Sequence, residues 1–116
     1  MIALAGAAGA LTRYGIGQAV GTRTFPWATL GINIVGSLVL GIVLGGPGID
    51  RWSATLTTAV TVGFLGAFTT FSTFAFETTS LLRADRPVAA FGYVALSLAA
   101  GLGASAVGFV IGRAAT

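Results

Sequence analysis

The chain divides at its charges and at its glycine and proline clusters into four apolar stretches, and that division predicts its elements. A bilayer core about 30 Å thick takes roughly 20 apolar residues per helix. Residues 1–20 form the first stretch, interrupted by Arg13. The joint 21–26 supplies turn residues and then Pro26, which suits a helix start. Residues 27–45 carry no charge and form the second stretch. The joint 46–51 closes it with a turn, and Trp27 and Trp52 fall where aromatic belts sit. Residues 53–82 are longer than one straight span requires, with Gly63, Gly66 and a hydroxyl cluster in their middle; this predicts a broken or strongly tilted third helix. After the joint 83–87, residues 88–112 make the fourth span and Arg113 ends it. The expectation is an all-α membrane protein of four transmembrane helices, one domain over residues 1–116, without linker or internal repeat.

Composition supports the same division and removes most other classes. Hydrophobic residues make up 55% of the 116 and charged ones 8%, against about 25% charged in a soluble domain. Too little polar surface remains to coat a soluble globule. Without cysteine or histidine there are no disulfides, thiolate metal sites or cysteine nucleophiles, and neither the usual zinc ligands nor the commonest general base is present. No Walker A, HExxH or nucleophile-elbow pattern occurs, so the sequence does not read as an enzyme. A net charge of +3 from scattered arginines gives nucleic acid no basic run to bind. A signal peptide is not expected either, because no charged region follows Met1 and Arg13 falls inside the apolar segment. The joints are too short for a soluble domain, so function must reside in the bilayer.

Orientation is weakly encoded. Arg51 and Arg113 fall on one side and Arg23, Arg83 and Arg86 on the other, with Arg13 mid-span. Two against three is a feeble bias. It permits insertion in both directions and an antiparallel homodimer, or a fixed orientation with a partner protein.

Several polar groups inside the spans carry candidate chemistry. Thr29, Asn33, Ser37, Gly41 and Gly45 follow at steps of four, a row that faces protein or water. Gly41 and Gly45 read as helix packing, whereas the Asn33 amide needs partners near mid-membrane. Tyr93, Ser97, Gly101 and Ser105 repeat the spacing on the fourth span, so the two rows suggest a polar track. A lone serine in such a helix more often bonds back to the carbonyl one turn earlier. In the third span Thr69, Thr70, Ser72 and Thr73 are what an interrupted helix needs to satisfy freed backbone groups. Phe71 and Phe74, three apart, can share a face and offer an anion their electropositive ring edges; an aromatic stripe can equally be packing. Arg13 and Glu77 are ionisable groups within spans, each costing roughly 2.5–3.5 kcal/mol to insert centrally. Arg13 is assigned to a vestibule or to a pairing partner.

The segment Gly66-Ala67-Phe68-Thr69-Thr70-Phe71-Ser72-Thr73-Phe74 is similar to the GGxTTFSTF break of the Fluc (CrcB) fluoride channels. Gly6-Ala7-Ala8-Gly9-Ala10-Leu11-Thr12-Arg13-Tyr14 and Asn33-Ile34-Val35-Gly36 extend the resemblance over essentially the whole chain. Ala67 stands where the break has its second glycine, and Ala5-Gly6 where the family has a double glycine. The resemblance implies a dual-topology antiparallel dimer in a bacterial inner membrane, with two pores through which fluoride leaves the cytoplasm passively. It implies that Phe71 and Phe74 are the aromatic box and Asn33 the pore donor, and that Ser72, Thr73, Tyr93, Ser97 and Glu77 form the polar track. Arg13 would then sit at a vestibule. Gly66 and Thr69 would offer backbone carbonyls to a structural Na⁺ on the dimer axis. The competing readings are a small four-span proton-coupled multidrug exporter, which needs an acid in its first span where this chain has Arg13, and a structural membrane assembly subunit.

Overall fold

The computed structural model describes residues 1–21 and 25–115. Arg23, counted above for orientation, lies outside the described residues, as does most of the first joint. The described residues contain helices and no strand. Helix α1 spans Ile2–Val20, α2 Trp27–Gly45, α3 Gly48–Arg51 and α4 Ala54–Thr58; a π-helical segment Ala59–Leu65 leads into α5 Gly66–Phe68, and α6 Phe71–Arg83 and α7 Pro87–Ala114 follow. The residues expected to form a turn at 46–51 include the single helical turn α3.

Among the described residues, three stretches are long and apolar enough to cross a membrane: Trp27–Gly45, Ala54–Arg83 and Pro87–Ala114. Helix α1 matches α2 in length at 19 residues but carries Arg13 and Gln18. The longest dimension, 49 Å, exceeds the roughly 40–45 Å of a bilayer with its headgroups. The protein is a multi-pass membrane protein, and its surface has the corresponding character. Leu4, Phe91, Leu102 and Val110 are exposed, as lipid-facing side chains are. The small buried cluster of Leu30, Leu81, Ala90 and Tyr93 lies where α2, α6 and α7 meet.

Packing rests on glycine. Helices α2 and α7 run together along most of their length, because Gly41, Gly45, Gly108 and Gly112 bring backbone against backbone. A methyl group on Gly41 would strike the Ser105 carbonyl oxygen, and one on Gly108 the Leu38 carbonyl oxygen. Both glycines of the α2 row are thus packing residues, as their spacing predicts. Helix α1 seats on the first half of the broken helix in the same manner, with Gly9 against the Phe64 carbonyl.

The α6–α7 turn closes by a Schellman motif. Arg86 N–H bonds the Leu81 carbonyl at 2.9 Å and Asp85 N–H bonds that of Leu82 at 3.1 Å. Asp85 takes the left-handed position with φ 57°, one that aspartate tolerates better than most side chains.

The third span is broken, and the break lies within the hydroxyl cluster. Helical backbone continues through both Gly63 and Gly66. Gly63 serves a different purpose: it sits against α1, where a side chain would come within 2.9 Å of Ala5 Cβ. Gly41→Ala should lower stability by about 1–3 kcal/mol through overpacking, whereas Gly103→Ala, with open space around it, should leave thermal unfolding in detergent unchanged or slightly raised.

Candidate functional site

The break begins where two threonines take different roles. Thr69 ends the first half: its N–H and its hydroxyl both bond the Leu65 carbonyl, at 3.0 and 2.9 Å, while its ψ of 160° turns the chain out of the helix. Thr70 is extended (φ −153°, ψ 122°) and caps the second half, its Oγ1 accepting from Thr73 N–H at 3.1 Å. A threonine N-cap of this kind contributes about 1 kcal/mol. Thr70 Oγ1 in turn donates to Thr73 Oγ1 at 3.2 Å.

Between these helical halves the backbone needs outside partners, and α2 supplies them. Asn33 Oδ1 accepts from Thr70 N–H at 2.9 Å, and Asn33 Nδ2 donates to the Thr70 carbonyl at 3.3 Å. The amide pairs with an extended residue as a neighbouring strand would. Gly36, one turn later, gives Thr69 room, since a methyl there would strike Thr69 Cγ2. From α1, Arg13 Nε donates to the Ala67 carbonyl at 3.1 Å. The sequence marks Asn33 for the pore and Arg13 for a vestibule or a pairing partner, but residue spacing does not show that both meet the backbone of the break.

The restart at Phe71 puts Phe71 and Phe74 on one face, with ring centroids 5.6 Å apart and planes at 63°. The edge of one ring points toward the other. Phe74 also lies 5.1 Å from the Tyr93 ring. Tyr93 is fully buried and its hydroxyl bonds Glu77 Oε1 at 3.2 Å. Phe25 packs edge-on against Tyr93 at 5.5 Å, a contact no motif in the sequence singled out.

A cleft of about 390 Å³ opens beside the break, bounded by Asn33, Ser37, Thr70, Phe71, Phe74 and Ser97. Its walls bring together members of the two polar rows, Asn33 and Ser37 from α2 and Ser97, Gly101 and Ser105 from α7. Ser97 departs from the usual behaviour of a helical hydroxyl. Thr12, Thr61, Thr69, Thr78 and Ser80 bond back to the carbonyl four residues earlier, but Ser97 Oγ is buried without a partner among the described residues. Arg13, Ser72, Thr73, Glu77 and Tyr93 do not line the cleft. Ser72 is exposed on α6, and Tyr93 and Glu77 join one another behind Phe74.

No group of three or more histidine, cysteine or acidic residues able to hold a metal exists among the described residues. Thr70 N–H, which would reach the Gly66 carbonyl in a continuous α-helix, is turned to Asn33; Thr73 N–H, the corresponding donor for the Thr69 carbonyl, is turned to Thr70 Oγ1. The Gly66 and Thr69 carbonyls are thereby released from the helical ladder. Neutral carbonyl oxygens of this type suit a hard monovalent or divalent cation.

The profile of the family described as "CrcB-like protein, Camphor Resistance (CrcB)" matches residues 1–109. The chain belongs to the CrcB family. Among its relatives, one from Rhodococcus jostii named "Fluoride-specific ion channel FluC 2" is 44% identical over 110 residues, covering 94% of this chain and 93% of the relative. A relative of the same name from Symbiobacterium thermophilum is 46% identical over 116 residues, covering 92% and 90%. One from Erythrobacter litoralis, named "Fluoride-specific ion channel FluC", is 38% identical over 125 residues, covering 97% and 89%.

The Asn33 clamp generates a stability prediction. Asn33→Ala leaves Thr70 N–H without its partner, at about 1–3 kcal/mol, while the Thr70 carbonyl keeps the first bond of α6 as its N-cap. It should lower thermal stability in detergent well below that of Ser37→Ala, whose hydroxyl holds no part of the break.

Proposed function

We propose that this CrcB chain is a fluoride-selective channel that lets F⁻ leave the cytoplasm passively, and not an enzyme. One observation carries the reading: in a chain whose relatives are named fluoride-specific channels, the cleft at the helix break gathers neutral donors and two aromatic edges and, among the described residues, has no basic side chain in its wall.

Fluoride is small and strongly hydrated, so a pore must replace its water with hydrogen-bond donors without holding the ion too long. One of the two Asn33 Nδ2 hydrogens is committed to Thr70, which leaves the other to face the ion. Ser97 adds a hydroxyl with no competing bond among the described residues. Phe71 and Phe74 add ring-edge hydrogens, electropositive but uncharged. Ser72, Thr73, Tyr93 and Glu77 continue the track in this reading, Tyr93 orienting the Glu77 carboxyl. Arg13 stands at the vestibule in this reading.

Four membrane-crossing helices per subunit and an antiparallel, dual-topology homodimer with two pores complete the proposal. Phe71 is 77% exposed on the single chain, and a second copy laid across the break would cover it. The Gly66 and Thr69 carbonyls would hold a Na⁺ ion between the two copies, where it would tie the crossing helices together and favour a nearby anion. A paralogous partner is the alternative to a second copy, since Symbiobacterium thermophilum has relatives named both FluC 1 and FluC 2. In this reading the channel resides in a bacterial inner membrane, the barrier that export from the cytoplasm must cross.

The deciding experiment is fluoride efflux from liposomes containing the purified protein alone, with chloride as the control anion. Fast fluoride release without chloride release is expected, and Phe71→Ile should slow it by about tenfold, equivalent to about 1.4 kcal/mol at the barrier, while the dimer stays assembled. No fluoride release from folded protein would remove the homomeric channel. Replacing Na⁺ with a bulky organic cation should weaken assembly or conduction; indifference to the cation would remove the ion from the proposal.

A further inference from the structure

We infer that Arg13 is a positioning residue that caps the carbonyl end of the broken helix, and that its hydrogen bond to Ala67, rather than its charge, is what conduction requires.

The stretch from Ala54 to Phe68 is helical backbone that stops at the break. Its last carbonyls point towards the gap, and together they form the negative end of the helix dipole. That end repels an anion and leaves a polar group unsatisfied in the membrane. Asn33 satisfies Thr70 from one side, but it does not reach Ala67. Arg13 does, from the other side, through Nε at 3.1 Å.

The contact is built into the packing of α1. Gly6, Gly9 and Arg13 step along one face of the helix by three and four residues. An added Cβ on Gly6 would lie 3.7 Å from the Gly63 carbonyl oxygen, and one on Gly9 would strike that of Phe64 and come within 3.1 Å of Phe68 N. This close seat brings α1 near enough for a half-buried arginine one turn later to meet the break. A residue serving only as a source of positive field would need neither the seat nor an Nε aimed at one carbonyl.

The inference rests on the channel reading for its functional readout, and side-chain chemistry separates bond from charge. The amide nitrogen of glutamine, like arginine Nε, is bonded to Cδ, so Arg13→Gln keeps an N–H donor at the same place along the side chain and removes the charge. Arg13→Met fills similar space with neither. Fluoride efflux would be measured across a range of fluoride concentrations for wild type and both variants, together with thermal unfolding in detergent. Arg13→Met should lose maximal flux by about tenfold, the rate equivalent of one hydrogen bond, and Arg13→Gln should recover most of it. If the charge alone matters, both variants will need more fluoride to half-saturate and will reach the same flux at high concentration. A glutamine variant that behaves as the methionine variant, in flux or in failing to fold, overturns the inference. Should wild type itself release no fluoride, the channel reading falls while the cap is still tested, because wild type and Arg13→Gln must then unfold at higher temperature than Arg13→Met.

Discussion

A backbone group that leaves its helix inside a membrane finds no water, so the pair of hydrogen bonds between Asn33 and Thr70 is the interaction on which the rest of this structure depends. One side-chain amide meets both polar groups of one extended residue. That pairing lets the third span stop at Thr69 and begin again at Phe71 without a stranded donor or acceptor at Thr70. Everything of chemical interest follows from the restart. It orients the two phenylalanine rings, and it frees the Gly66 and Thr69 carbonyls by giving their helical donors other partners.

The break in turn dictates how its neighbours pack. Helix α2 must come close enough for a short amide to reach Thr70, and Gly36 permits this beside Thr69. Helix α1 must come close enough for Arg13 to reach Ala67, and Gly9 permits that. Glycine is a poor helix former in water, but in a bilayer the return on close backbone packing is larger, because burying large apolar side chains offers little advantage over leaving them in lipid. The small buried core and the many exposed leucines, valines and phenylalanines reflect the same physics.

Around this frame no charged side chain among the described residues lines the cleft. An ion passing through exchanges contacts with dipoles and ring edges instead of pairing with a fixed cation, which is the compromise between entry and release that conduction demands. The ionisable groups stay at its margins: Arg13 turned to a carbonyl, Glu77 to a phenol.

How much of this was legible follows from the range of each interaction. The long apolar runs, the charged and glycine-rich joints, and the break in the third span follow from the sequence by itself, because bilayer thickness and backbone satisfaction act on contiguous residues. The hydroxyl cluster that marks the break and the row of four-residue steps ending in Gly41 and Gly45 are local patterns of the same kind. Tertiary structure decided where the break falls, because the Thr69–Thr70 kink depends on an amide 37 residues away in the chain. It also decided that Gly63 is a seat for α1, that Ser97 is left without a partner among the described residues while other hydroxyls bond back, and that Arg13 meets Ala67 across 54 residues. Residue types alone state what a side chain can donate or accept. Only the approach of one helix to another, set by which glycines face each other, determines which backbone group it meets.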